Sequence, residues 1–170
     1  DRALVEAALG PDQPMYLQYF RWLGAALQGD LGRSLWQSTP VMEHLLARLP
    51  VTFELGLLAL LVGLSVALPI GVYSAIRQDT AGDYVTRSFS ILMLAIPSFW
   101  LGTIVMVFPA IWWGWSPEIN YVPFTRDPLK NLSQMIIPAV ILGTSLSAVT
   151  MRLTRTMMLE LLRHDSIRPA

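Results

Sequence analysis

The sequence contains no cysteine, which excludes disulfide bonds and cysteine-based metal sites and leaves the redox compartment open. Its two histidines, His44 and His164, are far apart in the chain, which argues against a metal or catalytic cluster built on imidazoles. The phosphate-loop, zinc-protease, nucleophile-elbow and dinucleotide-binding motifs of soluble enzymes are also absent. The sequence therefore indicates no catalytic centre, no metal site and no cofactor.

Charged residues are scarce. They make up 14% of the 170 residues, whereas an average soluble domain carries about 25%. Hydrophobic residues make up 54% of the chain. The 12 basic and 12 acidic residues balance, so no general attraction to nucleic acid is expected. This composition is typical of a membrane protein.

Three long runs of the sequence carry no charge at all. A helix needs about 20 apolar residues to cross the hydrocarbon core of a bilayer, and each run is long enough. As buried helices of a soluble fold, these runs would need a larger core than 170 residues can build. The sequence therefore predicts an all-α membrane protein whose three spans lie at about 51–76, 88–115 and 133–151.

The orientation of these spans follows from arginine and lysine, which concentrate on the cytoplasmic side of membrane proteins. Arg77 and Arg87 lie between the first two runs, and four more arginines lie in the closing segment 152–170. The opposite side has Arg126, Lys130 and four arginines spread over the first 50 residues. We therefore expect residues 1–50 outside the membrane and the carboxyl terminus in the cytoplasm.

The first 49 residues differ from the rest and are predicted to be an external or interfacial helical segment, followed by a membrane domain at 50–170. One amphipathic helix is expected to start near Asp12 or Gln13 and to end before Gly29 at its C′ position. A second, with Thr39 as N-cap and Pro50 as its stop, is too short to span and is expected to lie along the interface.

Prolines interrupt all three apolar runs. Each removes a backbone donor and can kink a helix, and in a membrane neighbouring groups must satisfy the freed carbonyl. The kinked spans fit either plain helix packing or a bundle that must flex. The prolines concerned are Pro69, Pro97, Pro109 and Pro138.

The closing helix, predicted at 152–165, is basic on one face. Arg152, Arg155 and Arg163 share that face, and Met and Leu residues cover much of the other. These arginines fit two interpretations. They can reach the cytoplasmic headgroups from a continuation of the last span, or the helix can leave the membrane and present the next segment to a cytoplasmic partner.

Several motifs occur in order along almost the whole chain and together resemble the first permease subunit of dipeptide, oligopeptide or nickel ABC importers. They are "GDLGRS" (29–34), "RLPVTFELG" (48–56), "PIGVYSA" (69–75), "IPSFWLG" (96–102), "RLTRTMMLELL" (152–162) and "DSIR" (165–168).

The resemblance implies a permease with six spans, of which the three here are the second to fourth. It implies a bacterial or archaeal plasma membrane location. It also implies a second permease subunit, cytoplasmic ATPase subunits, an external substrate-binding protein, and a peptide or, second, a nickel chelate or other small solute as cargo. The absence of an initiator methionine fits a fragment.

The resemblance also assigns roles to individual residues. The family's ATPase-coupling loop begins in the segment that here contains Asp165, Ile167, Arg168, Pro169 and Ala170, although Ser166 and Pro169 depart from the family pattern. A translocation path is expected near the Pro97 kink and along the last span, unless the polar groups there make ordinary interhelical hydrogen bonds. Its candidate residues are Ser98, Thr144, Ser145 and Ser147.

Three other functions are compatible with parts of the sequence. A secondary transporter would need ionisable residues inside the spans, and these are nearly absent. A membrane-embedded enzyme would have to use Glu43, His44 or Glu54, which are expected to be solvated or interfacial. A structural membrane scaffold is the third alternative.

Overall fold

The computed structural model describes residues 14–34, 36–118 and 120–165, with side chains as far as residue 163. In these ranges the chain is helical, and its extended pairing is limited to an isolated bridge between Arg33 and Pro40. The helices are α1 (Met15–Leu27), α2 (Val41–Ile76), α3 (Ala81–Ala95), α4 (Ser98–Trp113) and α5 (Pro128–Asp165). The predicted all-α class is confirmed.

The chain divides into two compact units, Asp1–Phe53 and Glu54–Ala170, and the division falls within α2. In the first unit, α1 follows Pro14 and ends at Leu27, with Gln28 as its C-cap residue. Gly29 then adopts a left-handed conformation with φ of 88°. The amides of Gly29 and Asp30 donate to Ala26 O at 3.0 Å and Ala25 O at 2.9 Å. This is a Schellman motif, and it confirms Gly29 at the C′ position. Asp12 and Gln13 lie outside the described residues.

The second predicted helix of this unit needs two corrections. It begins at Val41, one residue later than expected, and the Thr39 hydroxyl contacts His44 Nε2 at 2.5 Å. The prediction that Pro50 ends it is wrong, because α2 continues through Pro50 to Ile76. Pro50 removes one amide donor, and the long apolar helix that follows maintains the rest of the hydrogen-bond ladder.

Two described helices, α2 and α5, are long and apolar enough to cross a membrane by themselves. The run that was predicted to form one span at 88–115 lies in α3 and α4, which meet at an angle of 85°. The break lies at Ile96 and Pro97, because proline has no amide donor and disfavours helical geometry in the residue before it. Ile96 accordingly has φ of −85° and ψ of 118°. The described residues thus hold two spans, or three if the bent pair is one span.

In the second unit, α2 and α5 pack closely through small residues. A Cβ added to Gly71 would lie 2.8 Å from Thr154 Cβ and 2.9 Å from Met151 O, and one on Gly143 would lie 2.8 Å from Ala59 O. Small residues allow such close approach between membrane helices. The buried residues recur every fourth position, at 59, 63, 67, 71 and 75 of α2 and at 131, 135, 139, 143, 147 and 151 of α5.

The remaining faces of this unit carry many large exposed apolar side chains. Examples are Leu61, Ile91 and Phe99, which are 56%, 63% and 77% exposed. Apolar surface of this extent marks contact with lipid or with other protein helices. Except for Ser147, which lies within the α5 stripe, the buried polar groups of the unit lie near the two ends of that stripe.

Candidate functional site

A buried ion pair lies where α3 begins. The Thr80 hydroxyl caps α3 by accepting from the Asp83 amide at 3.5 Å, and this places the Asp83 carboxylate in the first turn. A helix amino terminus carries a partial positive charge that favours a carboxylate there. Asp83 is fully buried, with 0% of its surface exposed.

Two other helices and the turn between α2 and α3 supply donors to this carboxylate. From α5, Arg155 Nε donates to Oδ1 at 2.9 Å and Nη2 to Oδ2 at 2.8 Å. From α2, the Ser74 hydroxyl donates to Oδ1, and the Asp79 amide of the following turn donates to Oδ2 at 3.1 Å. Two parallel bonds between a guanidinium and a carboxylate fix direction as well as charge. We call Ser74, Asp83 and Arg155 the ion-pair cluster.

The ion-pair cluster corrects one sequence-based interpretation. Arg155 was expected to share an exposed basic face with Arg152 and Arg163. Its side chain is instead 19% exposed and bound to Asp83, and its Nε also lies 3.1 Å from Ser74 Oγ. No local pattern connects residues 72 positions apart, so sequence reasoning missed this pair.

A second polar cluster lies at the other end of the α5 stripe and contains Glu54, Tyr121, Asn131 and Gln134. The Tyr121 hydroxyl donates to Glu54 Oε2 at 2.8 Å. Asn131 Nδ2 donates to Val122 O at 2.9 Å, and Gln134 Oε1 accepts from the Val122 amide at 3.0 Å. These contacts fix the segment that precedes α5 against the helices. We call this group the Tyr121 cluster.

The charge of Glu54 acts on Tyr121. The hydrogen bond to the Glu54 carboxylate raises the pKa of Tyr121 above its ordinary value, and burial is the second cause. Both disfavour the phenolate. Within the described chain, Glu54 Oε1 and Asn131 Oδ1 are buried acceptors without a donor. Glu54 is half-buried in this cluster, and its expected place at the membrane interface stays a prediction.

A cavity of about 780 Å³ lies between α4, α5 and the segment at 115–118. Ser98, one of the predicted path residues, lines it together with apolar side chains such as Phe99, Met106 and Ile137. At one edge Lys130 Nζ and Glu118 Oε2 form an ion pair at 2.8 Å.

The other three predicted path residues are not among those that line this cavity. Thr144 donates to Val140 O at 2.6 Å, and Ser147 donates to Thr144 O at 2.7 Å from a buried position. Ser145 is half-buried. The Thr144 and Ser147 hydroxyls bond within their own helix and not between helices, so they show neither the path nor the interhelical hydrogen bonds of the alternative. A path role for Thr144, Ser145 and Ser147 stays a prediction.

The predicted ATPase-coupling residues follow the end of α5. Asp165 is the last residue of that helix, and its side chain lies outside the described residues. Ile167, Arg168, Pro169 and Ala170 also lie outside them. Their role therefore stays a prediction. In the described part of the chain, no group of three His, Cys, Asp or Glu residues could hold a metal ion.

Comparison with protein families identifies the chain. Residues 67–170 match the family described as the binding-protein-dependent transport system inner membrane component. The chain belongs to this family. The match includes Ser74, Asp83 and Arg155, and it confirms the family resemblance seen in the sequence.

Named relatives in this family extend the similarity to the first unit. A peptide transport system permease of Brucella suis is 38% identical over 98% of this chain, and AppB, an oligopeptide transport system permease of Bacillus subtilis, is 36% identical over 100% of it. DppB, a dipeptide transport system permease of Escherichia coli, is 31% identical over 96%. The chain covers 53% to 55% of the length of these relatives, so it spans about half of each.

Proposed function

We propose that this chain is part of the pore-forming permease subunit of an ATP-driven importer for peptides. The observation that carries the proposal is the similarity, over nearly the whole chain, to proteins named as peptide, oligopeptide and dipeptide transport permeases. The subunit would work with a second permease subunit, cytoplasmic ATPase subunits and an external binding protein, and ATP would be hydrolysed on the ATPase subunits. Apolar helices long enough to cross a membrane support a location in the bilayer.

The cavity beside Ser98 is our candidate for part of the translocation path. Its volume of about 780 Å³ is within the range of about 300–1,000 Å³ that is usual for small-molecule sites. Its wall is largely apolar, with the Ser98 and Ser133 hydroxyls and the Lys130–Glu118 pair at the edge. Such a lining suits a short peptide, which combines apolar side chains with polar termini.

The coupling role falls to the end of α5. This helix is continuous from Pro128 to Asp165, so it leads from the apolar stripe into the arginine-rich segment and on to Ile167. With Arg77, Arg87 and the closing arginines on the cytoplasmic side, the residues from Asp165 to Ala170 would meet the ATPase.

The proposal is tested with the intact subunit, reconstituted with its partner subunits in vesicles and supplied with loaded binding protein. We expect uptake of a radiolabelled dipeptide that requires ATP. Uptake that proceeds without ATP would contradict the proposal and favour a secondary transporter. Absence of any uptake by a correctly assembled complex would favour a scaffold.

The coupling segment is tested separately with Ile167→Asp, which places a charge where an apolar contact is expected. This variant should lose ATPase stimulation and uptake while it remains inserted. The control is Gln28→Asp directly after α1, where the exposed side chain is already polar. Normal stimulation and uptake in Ile167→Asp would show that this segment does not contact the ATPase.

A further inference from the structure

We propose that Asp83 and Arg155 are positioning residues for coupling: their ion pair holds α5 against α2 and α3, so that a displacement at the carboxyl end of α5 moves three helices together. This inference rests on the proposed function. It assigns to the ion-pair cluster a role that sequence reasoning had not given to any of its members.

The first observation is that the hydrogen bonds of the ion-pair cluster have defined directions. Both carboxylate oxygens of Asp83 are occupied by directed donors, and the guanidinium uses two of its nitrogens on them. A buried pair of this kind contributes little net stability compared with apolar packing, and its best-attested use is to fix one arrangement of helices over others. The geometry therefore points to a role in fixing the register of α5 against α2 and α3.

The second observation is where the cluster lies along α5. The buried stripe of α5 ends at Met151, which is 3% exposed, and Arg155 follows one turn later. Among the described side chains from residue 156 to Arg163, none is buried. The ten residues from 156 to 165 remain helical, a length of about 15 Å. Arg155 thus lies at the base of a helical extension that leads to the predicted coupling segment.

The third observation concerns the other contacts of α5 next to Arg155. Around Arg155, α5 meets α2 through Gly71 and Thr154, and it meets α3 through Ser90, whose hydroxyl contacts Met151 Sδ at 2.9 Å. Apart from the single bond from Ser90, these are van der Waals contacts of small side chains, which allow close approach but carry no directed hydrogen bond. The paired hydrogen bonds of Arg155 supply a direction.

The main test uses the intact importer in vesicles and compares Arg155→Lys with wild type. Lysine keeps the charge but cannot bind a carboxylate with a rigid fork. We expect Arg155→Lys to assemble and to hydrolyse ATP, while the number of dipeptides imported per ATP hydrolysed falls about fivefold or more, the lower range of coupling between linked sites. The matched control is Arg152→Lys, an exposed arginine one turn earlier on α5, which should keep the wild-type ratio.

A second variant keeps the inference testable if Arg155→Lys fails to fold. Asp83→Asn combined with Arg155→Gln removes both charges and keeps side chains that can hydrogen-bond, so no buried charge is left unpaired. It should assemble and show the same loss in imported dipeptide per ATP. A wild-type ratio in either variant would overturn the inference. If both variants fail to assemble, the pair serves assembly and the positioning role is also overturned.

The outcome is separable from that of the proposed function. If wild-type vesicles do not import the dipeptide with ATP, the proposed function fails before any variant is compared. If wild-type import is normal and Arg155→Lys matches it, the positioning role alone fails.

Discussion

Asp83 shows how one residue can connect distant parts of a membrane helix bundle. It is fully buried, and its partners come from α2 and α5. Removing one member of a buried pair typically costs about 3–5 kcal/mol, because the other charge remains without compensation. The buried position of Asp83 could not be predicted, because its partner Arg155 is 72 residues away. The local sequence around Asp83 fits a surface loop as well as the buried start of a helix.

At the same scale, Tyr121 has the clearest single role in its cluster. Tyr121→Phe removes the hydroxyl that donates to Glu54 Oε2. The other oxygen of that carboxylate, Oε1, already has no donor among the described residues. We expect the free energy of unfolding to fall by about 1 kcal/mol. Denaturant titration of the purified protein in detergent measures this change.

The control for Tyr121→Phe is Tyr16→Phe in α1, where Tyr16 is 65% exposed. It should leave the unfolding curve unchanged. Equal effects of the two substitutions would mean that the Tyr121–Glu54 bond contributes nothing to stability.

At the scale of elements, the spacing of small residues explains how α2 and α5 approach each other. The sequence allowed the existence of these helices to be predicted, because long apolar runs specify membrane helices. It also named Pro97 as one of four prolines that can kink a helix, but it indicated neither the 85° angle there nor the continuation of α2 through Pro50. Proline changes one hydrogen bond wherever it occurs, and whether the helix then bends or continues depends on packing that local sequence does not show.

Gly71→Ala tests the close approach of α2 to α5. The added methyl group would lie 2.8 Å from Thr154 Cβ and 2.9 Å from a backbone oxygen, so the helices must move apart. Overpacking of this kind costs about 1–3 kcal/mol, and denaturant titration should show a loss of this size. Gly56→Ala on the same helix is the control, since nothing lies within 4 Å of its added Cβ. A loss in both variants, or in neither, would contradict the packing.

Pro97→Ala tests the origin of the bend between α3 and α4. Alanine restores an amide donor and lets Ile96 adopt helical geometry, so the bend should decrease from 85°. Spin labels at positions 87 and 111 should then move apart, toward the length of about 36 Å of a straight helix. Pro109→Ala, inside the continuous α4, should leave the distance unchanged. An unchanged distance in Pro97→Ala would mean that tertiary packing maintains the bend without proline.

At the scale of the whole molecule, the decisive question is how many times the chain crosses the bilayer. Asn131 and Arg155 mark the two polar ends of the α5 stripe and are 24 residues apart, about 36 Å along a helix. The hydrocarbon core is about 30 Å thick, so α5 has the length to place these ends near opposite interfaces. The composition alone predicted a membrane protein, but the bend leaves α3 and α4 as either one span or a re-entrant pair.

Because the chain has no cysteine, single engineered cysteines report their side of the membrane without background labelling. Suitable exposed positions in the intact subunit are Arg33, Gln78, Arg126 and Glu160. If the arginine distribution sets the orientation, a membrane-impermeant maleimide should reach positions 33 and 126 from outside, and positions 78 and 160 only after permeabilisation. This pattern requires α3 and α4 to form one span together.

Two other labelling patterns would each contradict part of this topology. Complete reversal would invert the orientation and place the end of α5 outside, where it could not meet a cytoplasmic ATPase. If positions 78 and 126 are both reached only after permeabilisation, α3 and α4 are re-entrant, α5 crosses in the opposite direction, and position 160 becomes accessible from outside. Coupling through the end of α5 therefore depends on the bent pair crossing the bilayer, so the labelling of position 126 decides both the span count and whether the proposed contact with the ATPase is geometrically possible.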